Sequence, residues 1–184
     1  MALPPNFAGQ KLLAATVDES KHTLEFYLDY VCPFSAKQFN TFYNSVRPLV
    51  TQKYQNKLQV IFRQQIQPWH PSSTLTCEAG AAVLRVAPEK FWDFSAAVFK
   101  HQTEFFDVRV ANEGRNKTYE RLAKIAGQSG VNESRVLELL KINENPQDEA
   151  NAHVGNAVTP DIKRMVKANR KIGVHVTPTV FFDV

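Results

Sequence analysis

Three stretches of the chain combine aromatic and β-branched residues in the way that is typical of buried strands. They run from His22 to Tyr30, from Leu58 to Ile66 and from Val174 to Phe182, and a shorter edge strand is expected within Lys11 to Val17. A helical pattern separates the first stretch from the second. The first two strands are therefore expected to pair in parallel across a helical connection.

Apolar residues with helical spacing follow the first strand and fill most of the chain between the second and the third. After the first strand, Phe39, Phe42, Tyr43 and Val46 recur on one helix face. Five further helices are predicted, from Ser73 to Val86, Pro88 to Phe105, Asn116 to Ala126, Asn132 to Lys141 and Pro160 to Ile172. Thr159 is expected to cap the last of them. The pattern predicts one α/β domain over residues 1–184, with a helical insertion at about 72–172.

The composition narrows the classes of protein to which the chain can belong. With 184 residues, 43% hydrophobic and 22% charged, it is neither disordered nor a membrane-spanning protein. The net charge is +4, but the basic residues are interspersed with 18 acidic residues and form no basic stripe. A nucleic-acid partner is therefore not expected. The segment Met1 to Asn6 has neither the positive nor the hydrophobic region of a secretory signal. A cytoplasmic location is therefore expected.

The cysteines and histidines do not form a metal-binding pattern. Two cysteines and five scattered histidines provide neither a disulfide framework nor a zinc-binding set, so no metal is expected. A glycine-rich phosphate loop is also lacking, so no tightly bound cofactor is expected. Cys77 lies among small apolar residues of a predicted helix and is interpreted as a packing residue, although it is the only other thiol that could resolve a disulfide.

The segment from Asp29 to Ser35 carries the most specific chemistry, because it lies where a buried strand leads into a helix. A thiol at a helix N-terminus lies near unpaired backbone N–H groups and the positive end of the helix dipole, which favours the nucleophilic thiolate. Cys32 is therefore the candidate nucleophile. Pro33 suits the first turn of the helix. Ser35 follows one helical turn later, so its hydroxyl is expected to form a hydrogen bond with the sulfur.

These residues resemble the active site of the DsbA-like group of the thioredoxin fold. The group carries D-Y-x-C-P-x-C after a central strand and a cis-proline before a later strand. This chain has D-Y-V-C-P-F-S from Asp29 to Ser35, and T-P-T from Thr177 to Thr179. The resemblance implies a thioredoxin fold with a large helical insertion, Cys32 as the nucleophile, and a cis bond between Thr177 and Pro178.

The resemblance also implies where a substrate docks. Pro33 and Phe34 on one side, and Thr177 and Pro178 on the other, would hold a thiol or disulfide substrate. A cis bond would leave the N–H and C=O groups of Thr177 free to pair with an extended ligand. The nearby segment from Trp69 to Pro71 either lines this groove or lies at the edge of the core.

Two departures from the group's pattern limit the chemistry. Ser35 replaces the second cysteine, so a disulfide within the motif cannot form, and the expected function is that of a monothiol oxidoreductase linked to glutathione or to protein disulfides. The chain also ends at Val184, where the group adds a final strand and a helix. Both elements are therefore expected to be missing from this sequence.

Two other functions are compatible with the sequence. One is a transferase or isomerase resembling kappa-class glutathione transferases, in which a small polar residue near the same helix start activates glutathione. Cys32 in the nucleophile's place argues against it. The other is a non-enzymatic binding module that keeps the groove. Neither the substrate nor the oligomeric state follows from the sequence.

Overall fold

Three strands form one mixed sheet in this computed structural model, which describes residues 5–12, 22–54 and 56–183. Strand β1 (His22–Leu28) lies in the centre, between β2 (Leu58–Gln64) and β3 (Thr179–Phe182). The pairing of β1 with β2 is parallel, as the sequence predicts. The pairing of β1 with β3 is antiparallel, and it places Tyr27 opposite Thr179.

Helices make up most of the rest. A continuous helical segment follows β1 as α1 (Pro33–Thr41), a π-helical turn (Phe42–Val46), α2 (Arg47–Leu49) and a second π-helical turn (Val50–Tyr54). The helices between β2 and β3 are α3 (Ser73–Val86), α4 (Phe91–Lys100), α5 (Asp107–Val110), α6 (Arg115–Gln128), α7 (Glu133–Leu140) and α8 (Thr159–Lys171). Short 3₁₀ turns occupy Pro5–Gln10, Pro88–Lys90, Gln102–Phe105 and Glu149–Asn151.

The single helix predicted from Pro88 to Phe105 is wrong, because this stretch divides into two 3₁₀ turns with α4 between them. The helix ends at His101, whose φ of −95° and ψ of 10° leave the α-helical region. The break turns the amide of Gln102 inward, where it is almost fully buried. Interrupting the helix thus brings a polar side chain of the insertion to the segment that follows β1.

The third predicted strand is shorter than expected. Only Thr179–Phe182 pairs with β1, and Val174 to Pro178 form an irregular loop. Pro178 has no N–H to donate to a neighbouring strand, which fits the start of the strand directly after it. Among the described residues, β3 is paired on one side only, with β1.

The edge strand expected within Lys11 to Val17 is represented by one isolated bridge. Lys11 pairs with Ile61 in an antiparallel sense, and the Leu12 N–H donates to the Val60 carbonyl at 2.9 Å. The rest of that predicted strand lies outside the described residues. This contact places the N-terminal segment along the free edge of β2.

The expected capping of α8 by Thr159 is wrong, because Thr159 is the first residue of the helix and Val158 occupies the N-cap position. Asn156 orders the segment just before the helix. Its side-chain oxygen accepts the Val158 N–H at 3.1 Å, and its own N–H donates to the Thr159 hydroxyl at 3.0 Å. The helix start is therefore stabilised by a residue outside the predicted element.

An aromatic core joins one face of the sheet to α1 and α4. Phe62 of β2 lies 5.8 Å from Phe39 of α1 and 5.9 Å from Trp92 of α4, measured between ring centroids. Tyr30, which is fully buried, contacts Phe62 at 5.4 Å and Phe99 at 5.2 Å. The segment that follows β1 is thus fixed in the core immediately before Cys32.

Candidate active site

Cys32 lies at the junction between β1 and α1. It is the N-cap residue of α1, with a φ of −74° and a ψ of 120°, and Pro33 is the first residue of the helix. The Ala36 N–H donates to the Cys32 carbonyl at 3.1 Å and closes the first turn. Only 5% of Cys32 is exposed. The thiol is therefore held at the positive end of the helix in a largely covered position.

Ser35 lies one helical turn after Cys32 and is completely buried. Its hydroxyl oxygen accepts the N–H of Asp29 at 3.2 Å. The carbonyl of Asp29 in turn accepts the Cys32 N–H at 3.1 Å. The contact that the Ser35 hydroxyl makes is thus with the backbone that leads into Cys32, whereas the sequence predicted a hydrogen bond to the sulfur.

The loop around Thr177 and Pro178 lies against Cys32, although 145 positions separate Cys32 from Thr177. The bond between Thr177 and Pro178 is cis. The Cys32 Sγ lies 3.6 Å from the Thr177 carbonyl oxygen, to which the thiol can donate. The fold thus brings the motif at Cys32 into contact with the loop of Thr177 and Pro178, although the two lie far apart in the sequence.

Gln67, on the connection after β2, lies against the same loop and is buried except for 2% of its surface. With the amide oxygen facing Thr177, it accepts the Thr177 N–H at 2.7 Å and the Thr177 hydroxyl at 3.2 Å. The amide nitrogen then donates to the His175 carbonyl at 3.3 Å. In this orientation the Thr177 N–H is not free, in contrast to the expectation from the sequence, because the Gln67 oxygen accepts it.

The carboxylate of Asp29 connects several segments of the site through hydrogen bonds. It is fully buried, and it accepts the N–H of Val31 at 2.8 Å, the N–H of Gln67 at 3.0 Å and the hydroxyl of Ser73 at 2.6 Å. The Nδ1 atom of His70 lies 3.1 Å from the same group. One charge therefore fixes the approach to Cys32, the connection after β2 and the start of α3 relative to one another.

Gln102 fixes the backbone of the site from the side of the insertion. Its amide nitrogen donates to the Tyr30 carbonyl at 2.7 Å and to the Cys32 carbonyl at 2.9 Å. Tyr30 is anchored in addition by its hydroxyl, which lies 2.7 Å from the hydroxyl of Ser95. Burial raises the pKa of Tyr30 well above its ordinary value, so this phenol stays protonated.

The sequence did not indicate roles for Gln67 and Gln102, and it placed Asp29 only in a motif. A charged residue directly after a buried strand is the one available signal for Asp29, because a carboxylate there needs several donors. The two glutamines carry no such signal. Their partners are backbone groups of residues far away in sequence, which only the folded chain brings near.

Three large apolar side chains border the site on its solvent side. Phe34 is 69% exposed, Trp69 is 59% exposed and Val176 is 47% exposed. Each belongs to a segment already placed at the site: Phe34 follows Cys32 by two positions, Trp69 precedes His70, and Val176 precedes Thr177. We call these three residues the apolar rim. With more than half of its surface exposed, Trp69 is not a core residue.

Cys77 lies in the core, on α3, with no exposed surface. Burial raises the pKa of its thiol well above the ordinary value, and the nearby charges of Asp29 and Glu78 raise it further. Its carbonyl accepts the amide of Gln64 at 2.8 Å. A protonated, inaccessible thiol of this kind is a poor nucleophile, in agreement with the interpretation of Cys77 as a packing residue.

Within residues 5–12, 22–54 and 56–183, no three His, Cys, Asp or Glu side chains converge in the way that a metal ion requires. In the same described part of the chain, each helix is too short or too polar to cross a membrane. What the site offers chemically is one thiol, the backbone of one loop, a buried carboxylate and an apolar rim.

The chain is similar to known proteins in sequence and in fold. A family model described as Thioredoxin matches residues 17–183. A search of curated proteins finds no significant match. Among solved structures, a candidate protein-disulfide isomerase from Pseudomonas syringae is 24% identical, with a TM-score of 0.64 over 97% of this chain and 88% of that protein.

Two other solved structures are similar over most of their length. MdbA from Actinomyces oris, a thiol-disulfide oxidoreductase, is 20% identical, with a TM-score of 0.62 over 90% of this chain and 72% of its own. BdbD from Bacillus subtilis, in its oxidised form, is 21% identical, with a TM-score of 0.60 over 95% and 82% of the two chains. At these identities the likeness shows the fold, and it confirms the predicted thioredoxin fold with a helical insertion.

Proposed function

This chain belongs to the thioredoxin family, and from that premise we propose that it is a thiol–disulfide oxidoreductase with a single reactive thiol, Cys32. The observation that carries the proposal is the position of the Cys32 Sγ, at the N-terminus of α1 and 3.6 Å from the Thr177 carbonyl. A sulfur between a helix N-terminus and a docking loop is placed both to react and to receive an incoming sulfur.

The names of similar proteins support the reaction class. The structure from Actinomyces oris is described as a thiol-disulfide oxidoreductase, and the one from Pseudomonas syringae as a candidate protein-disulfide isomerase. We extend thiol–disulfide chemistry to this chain because it keeps the helix-start cysteine and the loop of Thr177 and Pro178. Ser35 cannot form a disulfide, so we propose a monothiol cycle.

The cycle consists of two exchanges. The Cys32 thiolate attacks one sulfur of a substrate disulfide, so that a bond forms between Cys32 and that sulfur while the other sulfur leaves as a thiolate. A second thiol, for which we propose glutathione, then attacks the substrate sulfur of the mixed disulfide. Cys32 leaves as the thiolate, and the substrate sulfur becomes bonded to glutathione. No oxidant or reductant beyond these thiols is needed.

In this proposal the substrate docks between two segments. Pro33 and Phe34, at the exposed start of α1, contact it on one side, and Thr177 and Pro178 contact it on the other. Phe34 is exposed and apolar, so it favours the hydrocarbon parts of a substrate over its charges. The pairing with glutathione also assumes the reducing cytoplasmic location that the sequence predicts.

The proposal is tested by trapping the mixed disulfide. The purified protein is incubated with oxidised glutathione, and intact mass and peptide mapping identify any adduct. We expect one glutathione per chain, on Cys32. Cys32→Ala should abolish the adduct, and Cys77→Ala should leave it unchanged, because the core thiol does not contribute.

The other outcomes separate the alternatives. Glutathione that binds without a covalent adduct, measured by calorimetry, would favour the transferase or isomerase. Neither binding nor adduct with glutathione, together with no reaction of Cys32 with a disulfide-bonded peptide, would contradict the oxidoreductase and leave a binding module. An adduct on Cys77 in the folded protein would also contradict the proposal.

A further inference from the structure

The backbone of Gln67 is fixed where its side chain meets the docking loop. Its N–H donates to the Asp29 carboxylate at 3.0 Å, and its carbonyl accepts the His70 N–H at 3.1 Å. The side chain is 2% exposed. Gln67 is therefore a held, buried residue whose amide has few alternative partners.

Both polar atoms of the Gln67 amide lie within hydrogen-bond distance of the docking loop. Its oxygen lies 2.7 Å from the Thr177 nitrogen and 3.2 Å from the Thr177 hydroxyl, and its nitrogen lies 3.3 Å from the His175 carbonyl oxygen. The opposite orientation of the amide keeps only the contact with the Thr177 hydroxyl. The orientation with more hydrogen bonds is thus the one that occupies the Thr177 N–H.

In that orientation of the Gln67 amide, both main-chain groups of Thr177 are engaged. The N–H donates to Gln67, and the carbonyl faces the Cys32 Sγ. An extended polypeptide that docks by strand-like pairing uses the N–H and the C=O of one residue together. Such a polypeptide has to displace the Gln67 amide first. A small disulfide without peptide groups needs only access to the sulfur.

Resting on the proposed function, we propose that Gln67 is a specificity-determining residue that competes with the main chain of an extended polypeptide for the Thr177 N–H. The displaced amide would lose hydrogen bonds in a buried place, where water does not replace them easily. The resting site therefore favours a small disulfide without peptide groups over an extended peptide. One neutral hydrogen bond corresponds to about fivefold in this preference.

The test compares two substrates on matched variants. Gln67→Met keeps the side-chain volume and removes the amide, and Gln67→Ala is a second variant in case the first folds poorly. Gln65→Ala is the control, because Gln65 is also buried on the same connection but accepts from Asn169 at 2.8 Å, away from the loop. The measured quantity is the rate constant for forming the Cys32 mixed disulfide.

With bis(2-hydroxyethyl) disulfide, which has no main chain, we expect similar rate constants for the wild type and all variants. With an extended peptide whose cysteine is capped by 2-mercaptoethanol, we expect Gln67→Met to react about fivefold faster than the wild type, and Gln65→Ala to react at the wild-type rate. A ratio of the peptide rate to the small-disulfide rate that does not change, or that falls, in the Gln67 variants would overturn the proposal.

A second measurement does not depend on reactivity. The hydrogen exchange of the Thr177 amide, followed by NMR, should be slow in the wild type and at least about fivefold faster in Gln67→Met, while Gln65→Ala leaves it unchanged. An unchanged Thr177 amide would overturn the proposal even if Cys32 reacts. If Cys32 reacts with neither substrate, the proposed function fails, and the exchange result still decides whether Gln67 holds the Thr177 N–H.

Discussion

At the scale of single residues, the site depends on where each side chain finds its hydrogen-bond partner. Ser35 stands where relatives of the D-Y-x-C-P-x-C type carry their second cysteine, yet its hydroxyl accepts from Asp29 and not from Cys32. It is also fully buried. The serine therefore stabilises the turn that presents the thiol, and the sulfur keeps the Thr177 carbonyl as its contact.

Replacing this serine should restore a dithiol site. Positions i and i+3 at a helix start bring two side chains within bridging range, so Ser35→Cys should form an internal disulfide with Cys32 on oxidation. The reduced variant should lose about 1 kcal/mol of unfolding free energy, because a thiol accepts the Asp29 N–H poorly. Peptide mapping of the oxidised protein, in a Cys77→Ala background, tests this prediction. Finding both thiols free would contradict it.

At the scale of elements, a polar cluster joins the two parallel strands on the face opposite the aromatic core. Glu25 of β1 accepts from Arg63 of β2 at 2.7 Å and from the hydroxyl of Tyr27 at 2.5 Å. Burial of Glu25 acts to raise its pKa, but the hydrogen bonds from Arg63 and Tyr27 outweigh it, so the pKa is lowered from 4.5. The charged form of Glu25 is thus favoured by folding.

This cluster predicts a pH-dependent contribution to stability. A carboxyl whose pKa is lowered by folding stabilises the protein above its unfolded pKa, and the contribution is lost as the pH falls through the folded value. At pH 7, Glu25→Gln should lower the free energy of unfolding by about 1–3 kcal/mol. The difference from the wild type should shrink as the pH falls below 4.5.

Urea unfolding between pH 7 and pH 3 measures this difference. The matched control is Glu138→Gln, since Glu138 pairs with Arg135 on an exposed helix surface, with both side chains 65% exposed. Its effect should be below about 1 kcal/mol at every pH. A Glu25→Gln difference that is constant from pH 7 to pH 3 would show that the charge of Glu25 is not what stabilises the sheet.

At the scale of the whole molecule, Asp29 connects three segments that lie far apart in the sequence. Its buried carboxylate joins the residue before Cys32 to the connection after β2 and to the start of the helical insertion. Gln102 adds a second link from the insertion to the same loop. The insertion is therefore part of the support of the site.

Removing the carboxylate should destabilise the entire fold. Asp29→Ala leaves the N–H groups of Val31 and Gln67 and the hydroxyl of Ser73 without an acceptor, which should cost at least about 3 kcal/mol of unfolding free energy. Asp93→Ala is the control, because the side chain of Asp93 is half exposed, and it should cost less than about 1 kcal/mol. Denaturant unfolding measures both. An Asp29→Ala protein within 1 kcal/mol of the wild type would contradict this role.

Local patterns were enough to predict the α/β class, the parallel pair of strands, most of the helices and the position of Cys32. Strand and helix periodicities are properties of neighbouring residues, so α3 from Ser73 to Val86 agrees at both ends with its predicted bounds. The motif at Cys32 is also local, because one turn of chain both starts the helix and places the thiol. These features need no knowledge of distant contacts.

Distant contacts decided the rest. The third strand, which ends at Phe182, is shorter than predicted, and the helix predicted after Pro88 is interrupted at His101. At both places, backbone and side-chain groups contact other elements. The sequence could not predict the hydrogen-bond partners of Ser35, Gln67 and Gln102, since only folding brings each partner near. A side-chain amide or hydroxyl can bond any donor or acceptor within about 3 Å, so its role is set by tertiary neighbours and not by its place in the chain.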